Sequence, residues 1–170
     1  MWFFRPQEGQ ARVTGTKVGT EARGIKARLA PRGRLCCKTS MNTGGCYCGA
    51  VRYEVTAPLT SVTYCHCAKC RKWHGHVGAY TAVDREGFRL TSARGLTWHA
   101  VSETVKRGFC GECGSSVLFD ETPDPKMSIC AGTLDPPTGI REKAHIFVAS
   151  KGDYYEVAGD LPRYDTSPRR

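Results

Sequence analysis

Three cysteines fall within six residues at Cys65-His66-Cys67-Ala68-Lys69-Cys70, and no other stretch constrains the chain so strongly. Sulfurs this close can converge on one ion, and a loop built that way is shaped by the ion as much as by its own residues. A second, split set flanks it, with Cys46-Tyr47-Cys48 upstream and Cys110-Gly111-Glu112-Cys113 downstream. Seven of the ten cysteines thus read as ligands of two zinc ions, one caged and one left open.

The two sets differ in how they can close. Cys46-x-Cys48 and Cys110-x-x-Cys113 each lie in a glycine-padded turn beside a strand. Glycine lets the backbone turn tightly enough for two sulfurs to face one centre. Two such knuckles brought together make a closed tetrahedral site that ties segments about sixty residues apart, and its binding energy counts as folding energy. The plainer alternative is four unrelated buried thiols.

Cys65, Cys67 and Cys70 come from one short loop and can cover an ion on one side only. The fourth position is then left for water or a substrate sulfur, the arrangement of a catalytic zinc. A thiol bound there is deprotonated at neutral pH. His66 is a rival fourth ligand, but its place between two ligands predicts a side chain turned away from the ion. His74 and His76 stand as ligand, base or substrate contact beside a plain turn role. Cys130, in the apolar run Met127-Ser128-Ile129-Cys130-Ala131, reads as a core residue, and Cys36 and Cys37 as exposed thiols.

At 170 residues the chain suits one domain. Its net charge of +9 is uneven. Residues 1–40 hold nine Lys/Arg against two Glu, whereas residues 41–170 are nearly balanced, at +2. A nucleic-acid-binding body would carry its own basic face, so a nucleic-acid partner is not expected. No apolar run approaches the roughly 18 residues of a membrane span, and Met1-Trp2-Phe3-Phe4-Arg5 is too short for a secretory signal. Reduced thiols and a cytoplasmic location follow from that reading.

Residues 1–40 show neither helix nor strand periodicity and form a basic leader, with three readings side by side. It is a disordered tail, an extension before a natural start at Met41, or an organelle transit segment. Residues 41–165 form the domain and 166–170 a tail. Val51-Arg52-Tyr53-Glu54-Val55 alternates strictly and is the clearest strand. Further strands are predicted at 61–64, 77–83, 88–90, 97–101, 116–119, 127–131 and 144–148. One helical turn is predicted from Ala68 to Trp73, stopped by Gly75. The expected fold is mainly β, with small sheets of short strands. The dinucleotide fingerprint, P-loop, nucleophile elbow and HExxH helix are all absent.

Gly45-Cys46-Tyr47-Cys48-Gly49-Ala50-Val51-Arg52-Tyr53, Cys65-His66-Cys67-Ala68-Lys69-Cys70-Arg71 and Arg107-Gly108-Phe109-Cys110-Gly111-Glu112-Cys113-Gly114-Ser115 occur in that order. Together they resemble the glutathione-dependent formaldehyde-activating enzyme family, which also includes centromere protein V. Ala131-Gly132-Thr133-Leu134-Asp135, His145-Ile146-Phe147-Val148 and Asp160-Leu161-Pro162 extend the likeness over about residues 41–165. The resemblance implies a β-tent-like zinc fold of short antiparallel strands. It implies a structural zinc on Cys46, Cys48, Cys110 and Cys113, and a labile catalytic zinc on Cys65, Cys67 and Cys70.

It also implies a carbon–sulfur lyase that joins glutathione and formaldehyde into S-hydroxymethylglutathione. Glutathione is anionic, so Lys69, Arg71 and Lys72 are candidate contacts beside a plain role as solvated charge. The alternative is a non-catalytic zinc scaffold with a protein or nucleic-acid partner.

Overall fold

The structure is a computed structural model that describes residues 41–168. The expectations for residues 1–40 and for Arg169 and Arg170 lie outside the described residues.

Eleven strands and one short α-helix follow one another along the chain. They are β1 (Asn42–Gly45), β2 (Val51–Val55), β3 (Val62–Cys65), α1 (Ala68–His74), β4 (Gly78–Asp84), β5 (Phe88–Ala93) and β6 (Leu96–Ala100). Then come β7 (Val105–Cys110), β8 (Ser116–Glu121), β9 (Lys126–Cys130), β10 (Glu142–Ile146) and β11 (Arg163–Tyr164). The architecture is mainly β. A three-stranded sheet has the order β1-β2-β5, and an eight-stranded sheet the order β11-β10-β3-β4-β9-β8-β7-β6.

β2 buries Val51, Tyr53 and Val55 on one face, as its alternation predicts, because a strand turns successive side chains to opposite sides. That face packs on Val83 of β4, Val117 and Leu118 of β8 and Ile129 of β9, making a core between the two sheets. The next residues along those strands point the other way. Tyr80, Cys130, Phe119 and Arg107 therefore belong to the far face of the large sheet, where the register pairs Tyr80 with Cys130 and Arg107 with Phe119. α1 packs there, its Trp73 indole donating to Ser116 Oγ of β8 at 2.7 Å. The molecule thus has an apolar side facing the small sheet and a polar, sulfur-rich side facing α1.

β1, β7 and β11 depart from the expected elements. Asn42-Thr43-Gly44-Gly45 has no apolar residue to announce a strand, and it forms because its backbone pairs with β2. Gly44 is needed there, since a Cβ would run into the Tyr53 phenol and the Thr133 carbonyl. In β7, Lys106, Arg107 and Gly108 hide the alternation. Strands pair antiparallel except at β10, which runs parallel to both β3 and β11.

Candidate metal centres

Cys46 and Cys48 sit in the turn from β1 to β2, and Cys110 and Cys113 in the turn from β7 to β8. The two turns are built alike. Gly49 N–H donates to Cys46 O at 3.2 Å with Gly49 at φ 80°, and Gly114 N–H donates to Cys110 O at 2.8 Å with Gly114 at φ 78°. Only glycine adopts that left-handed conformation without strain, which is why both knuckles carry one.

The four sulfurs lie within 4.8 Å of one another, with Cys46–Cys48 at 3.5 Å and Cys48–Cys110 at 3.7 Å. A tetrahedral ion with bonds of about 2.3 Å sets its sulfurs about 3.8 Å apart, so the donor set fits zinc. Val51 N–H donates to Cys46 Sγ at 3.2 Å, and Ser115 Oγ lies 3.3 Å from Cys113 Sγ. The Ser115 hydroxyl, then its backbone N–H, hold the Cys113 thiol down at about 6. Cys48 is exposed and Cys113 partly so, which lets water share the negative charge. This cluster draws two sulfurs from a turn of the small sheet and two from a turn of the large one.

Cys65, Cys67 and Cys70 also hold their sulfurs within 4.8 Å of one another. β3 delivers Cys65 at its last position, and α1 folds Cys70 back over it. Cys67 is the N-cap of α1, its Sγ accepting from Cys70 N–H at 3.4 Å in the manner of a capping serine. Gly75 closes the helix at φ 76°, as predicted. Cys65 and Cys70 are buried and Cys67 is half-exposed, so the tripod opens on one side only.

The chain supplies this tripod with partners that spacing could not show. Arg107, only 4% exposed, donates from Nη2 to Cys70 Sγ at 3.4 Å and from Nη1 to the Tyr80 hydroxyl at 2.9 Å. Arginine has no acceptor, so Tyr80 accepts from it, and the same hydroxyl lies 2.6 Å from His74 Nε2 and 3.9 Å from Cys70 Sγ. Burial lowers His74, in keeping with a neutral ring. The Cys65 thiol first, and the Arg107 guanidinium after burial is offset, hold Cys70 well below the usual thiol range. Its thiolate and burial in turn push Cys65 up.

His66 has both ring nitrogens engaged away from the sulfurs. Nδ1 meets the Tyr155 hydroxyl at 2.6 Å and Nε2 meets His145 Nδ1 at 2.9 Å. Burial lowers its pKa, so the buried ring is neutral. His76 pairs with Tyr154 OH at 3.0 Å on the surface. Lys69 and Lys72 are exposed on α1, while Arg71 is half-buried with an Nε shielded from water and without a partner. Cys130 is buried as expected, but on the α1 side of the sheet, where its sulfur lies 3.4 Å from Ser116 Oγ.

A β domain with one four-cysteine and one three-cysteine cluster carries two sulfur sets that could each hold a metal ion. The chain belongs to the glutathione-dependent formaldehyde-activating enzyme family, whose model matches residues 41–150. A curated relative from Halomonas elongata named "Putative glutathione-dependent formaldehyde-activating enzyme" is 28% identical over 127 residues, covering 67% of this chain and 79% of the relative. A crystal structure of a Rhodobacter sphaeroides protein is 27% identical with a TM-score of 0.46, covering 55% of this chain and 88% of that one.

Proposed function

We propose that this protein is a zinc-dependent carbon–sulfur lyase that makes and breaks the adduct of a small thiol, glutathione by the family's name, with formaldehyde. The observation that carries the reading is the inequality of the two cysteine clusters: four sulfurs in one, and three in the other with Cys67 half-exposed. Cys46, Cys48, Cys110 and Cys113 would hold a structural ion, and Cys65, Cys67 and Cys70 a catalytic one. A zinc ion held by these three sulfurs would supply the Lewis acidity that lets an incoming thiol ionise at neutral pH.

The chain's own residues do the positioning. Cys67, at the exposed corner of the tripod, marks the side from which a thiol enters. Arg107 and Tyr80 occupy the buried side, so the guest is confined to the solvent face. The His66–Tyr155 and His66–His145 bonds keep the Cys65–Cys67 loop in one conformation, holding the sulfurs ready. In the forward direction the thiol proton leaves to solvent, the sulfur–carbon bond forms as the carbonyl π bond breaks onto oxygen, and that oxygen takes a proton from solvent. The reverse reaction runs these changes backward. Sulfurs that must stay reduced to ligate suit the cytoplasm, where glutathione is abundant.

The test is NMR exchange between glutathione and formaldehyde. Zinc-loaded protein is expected to accelerate adduct formation well above the spontaneous rate. Equal rates with the Cys67→Ala variant would discard the proposal.

A further inference from the structure

We infer that Arg107 is the charge-compensating residue of the Cys65–Cys67–Cys70 tripod, the group that lets an anionic thiolate join the three sulfurs in preference to a neutral ligand. This rests on the open-tripod reading above and adds to it a positioning residue that acts through Cys70.

A guanidinium this deeply buried is kept only where opposite charge meets it, because its desolvation is otherwise too costly. The groups around Arg107 are Cys70 Sγ at 3.4 Å, the Tyr80 hydroxyl at 2.9 Å and two aromatic rings. The Trp73 and Phe119 centroids lie 5.5 and 5.2 Å from its central carbon. Of these partners Cys70 is the one that becomes an anion when it holds a metal ion. The rings wall the cation off from water and strengthen its field at the sulfurs.

Charge counting then separates two kinds of guest. A divalent cation with three cysteine thiolates carries −1, and a substrate thiolate takes the group to −2. Two sulfurs of the tripod are buried, so that added charge is poorly solvated unless a cation stands beside it. Arg107 is that cation. A neutral guest such as imidazole leaves the count at −1 and gains little from it. The other cluster is the control within the molecule. It would also carry −2, yet Cys48 is exposed, so water does there what Arg107 does at the tripod.

The experiment uses the full-length chain loaded with cobalt(II), whose thiolate charge-transfer absorption reports its ligands. Each protein is titrated separately with 2-mercaptoethanol and with imidazole, and the difference spectra give two affinities. Arg107→Gln keeps a hydrogen-bond donor and loses the charge. It is expected to weaken thiol binding at least tenfold while imidazole stays within twofold. Arg107→Lys keeps the charge and is expected to stay within threefold for both.

Unchanged thiol affinity in Arg107→Gln overturns the inference, and so does equal loss of thiol and imidazole, which marks a merely structural role. Arg107→Lys decides even where Arg107→Gln does not fold: normal thiol binding supports the inference, and a selective tenfold loss overturns it. A different failure is recognisable in the unmodified protein. If its spectrum ignores thiol altogether, the tripod accepts no guest, and the proposed function falls together with this inference.

Discussion

The four-cysteine cluster and the three-cysteine cluster present the same donor atom in different surroundings, and that difference is what separates their proposed roles. The first lies between two sheets, draws its sulfurs from two turns far apart in sequence, and is finished with a backbone N–H group and a serine. The second lies on one loop, leaves one side uncovered, and is backed by a buried arginine. A sulfur set that closes on an ion stabilises the fold, whereas a set that stops at three keeps binding capacity for something else. In the proposed reading, separation along the chain suits the first cluster to a structural role, and local incompleteness suits the second to a catalytic one.

The sharpest way to break this contrast is to remove one sulfur from each cluster and compare folding. Cys110 is fully buried where the sheets meet, and structural zinc contributes about 10–16 kcal/mol, as much as a whole domain's stability. Cys110→Ser is therefore expected to abolish the cooperative thermal transition followed by circular dichroism. Cys67→Ala should keep that transition, shifted by no more than about 3–6 °C, the effect of roughly 1 kcal/mol in a domain of this size. Similar melting losses in both variants would erase the division of labour.

Chelation sharpens the same contrast. Metal per chain, measured before and after a mild chelator, is expected to fall from two ions to one, with the thermal transition preserved. Loss of both ions together would make the sites equivalent.

Smaller effects probe the frame around the closed cluster. A Cβ at Gly95 would sit 2.8 Å from Cys110 Sγ and 3.0 Å from Ala50 Cβ. Gly95→Ala should therefore cost about 1–3 kcal/mol in denaturant unfolding, the usual cost of overpacking, while leaving the thiol response of the tripod unchanged. An altered thiol response would couple the two sites.

The mildest effect concerns the pair that ties β2 to the loop after β9. The Arg52 guanidinium first, and the Thr43 hydroxyl next, hold the Asp135 carboxyl below its ordinary value. A lowered folded pKa means stability that is present above about pH 4, the unfolded value, and is lost as pH falls through the folded one. Both side chains are about two-fifths exposed, so screening limits the contribution to about 0–1 kcal/mol. Asp135→Asn should flatten the acid limb of the stability curve by that amount, and an unaltered limb would remove the pair from the account.

Much of this was legible without coordinates, for reasons tied to particular residues. Val51 to Val55 alternates because one face of β2 meets the core and the other does not. Gly75 stops α1 because a left-handed residue is needed there. The three-cysteine set and each half of the four-cysteine set follow from short spacings, and His66 could be expected to turn away because the cysteines on either side leave it no direction toward a shared ion. Arg107 was not legible: within Val105-Lys106-Arg107-Gly108 it looks like surface charge, and its sulfur partner lies 37 residues upstream. The same holds for His145 and Tyr155, which reach His66 across 79 and 89 residues.

What the amino-acid order determined alone was chemistry that fits within a few residues: which thiols can share an ion, where glycine must bend the chain, and which strand has two unlike faces. What the tertiary structure decided was which side of the sheet holds the site and which charge stands behind the sulfurs. Spacing of a few residues limits how far two side chains can separate, whereas contacts across strands depend on a pairing register that no single segment contains.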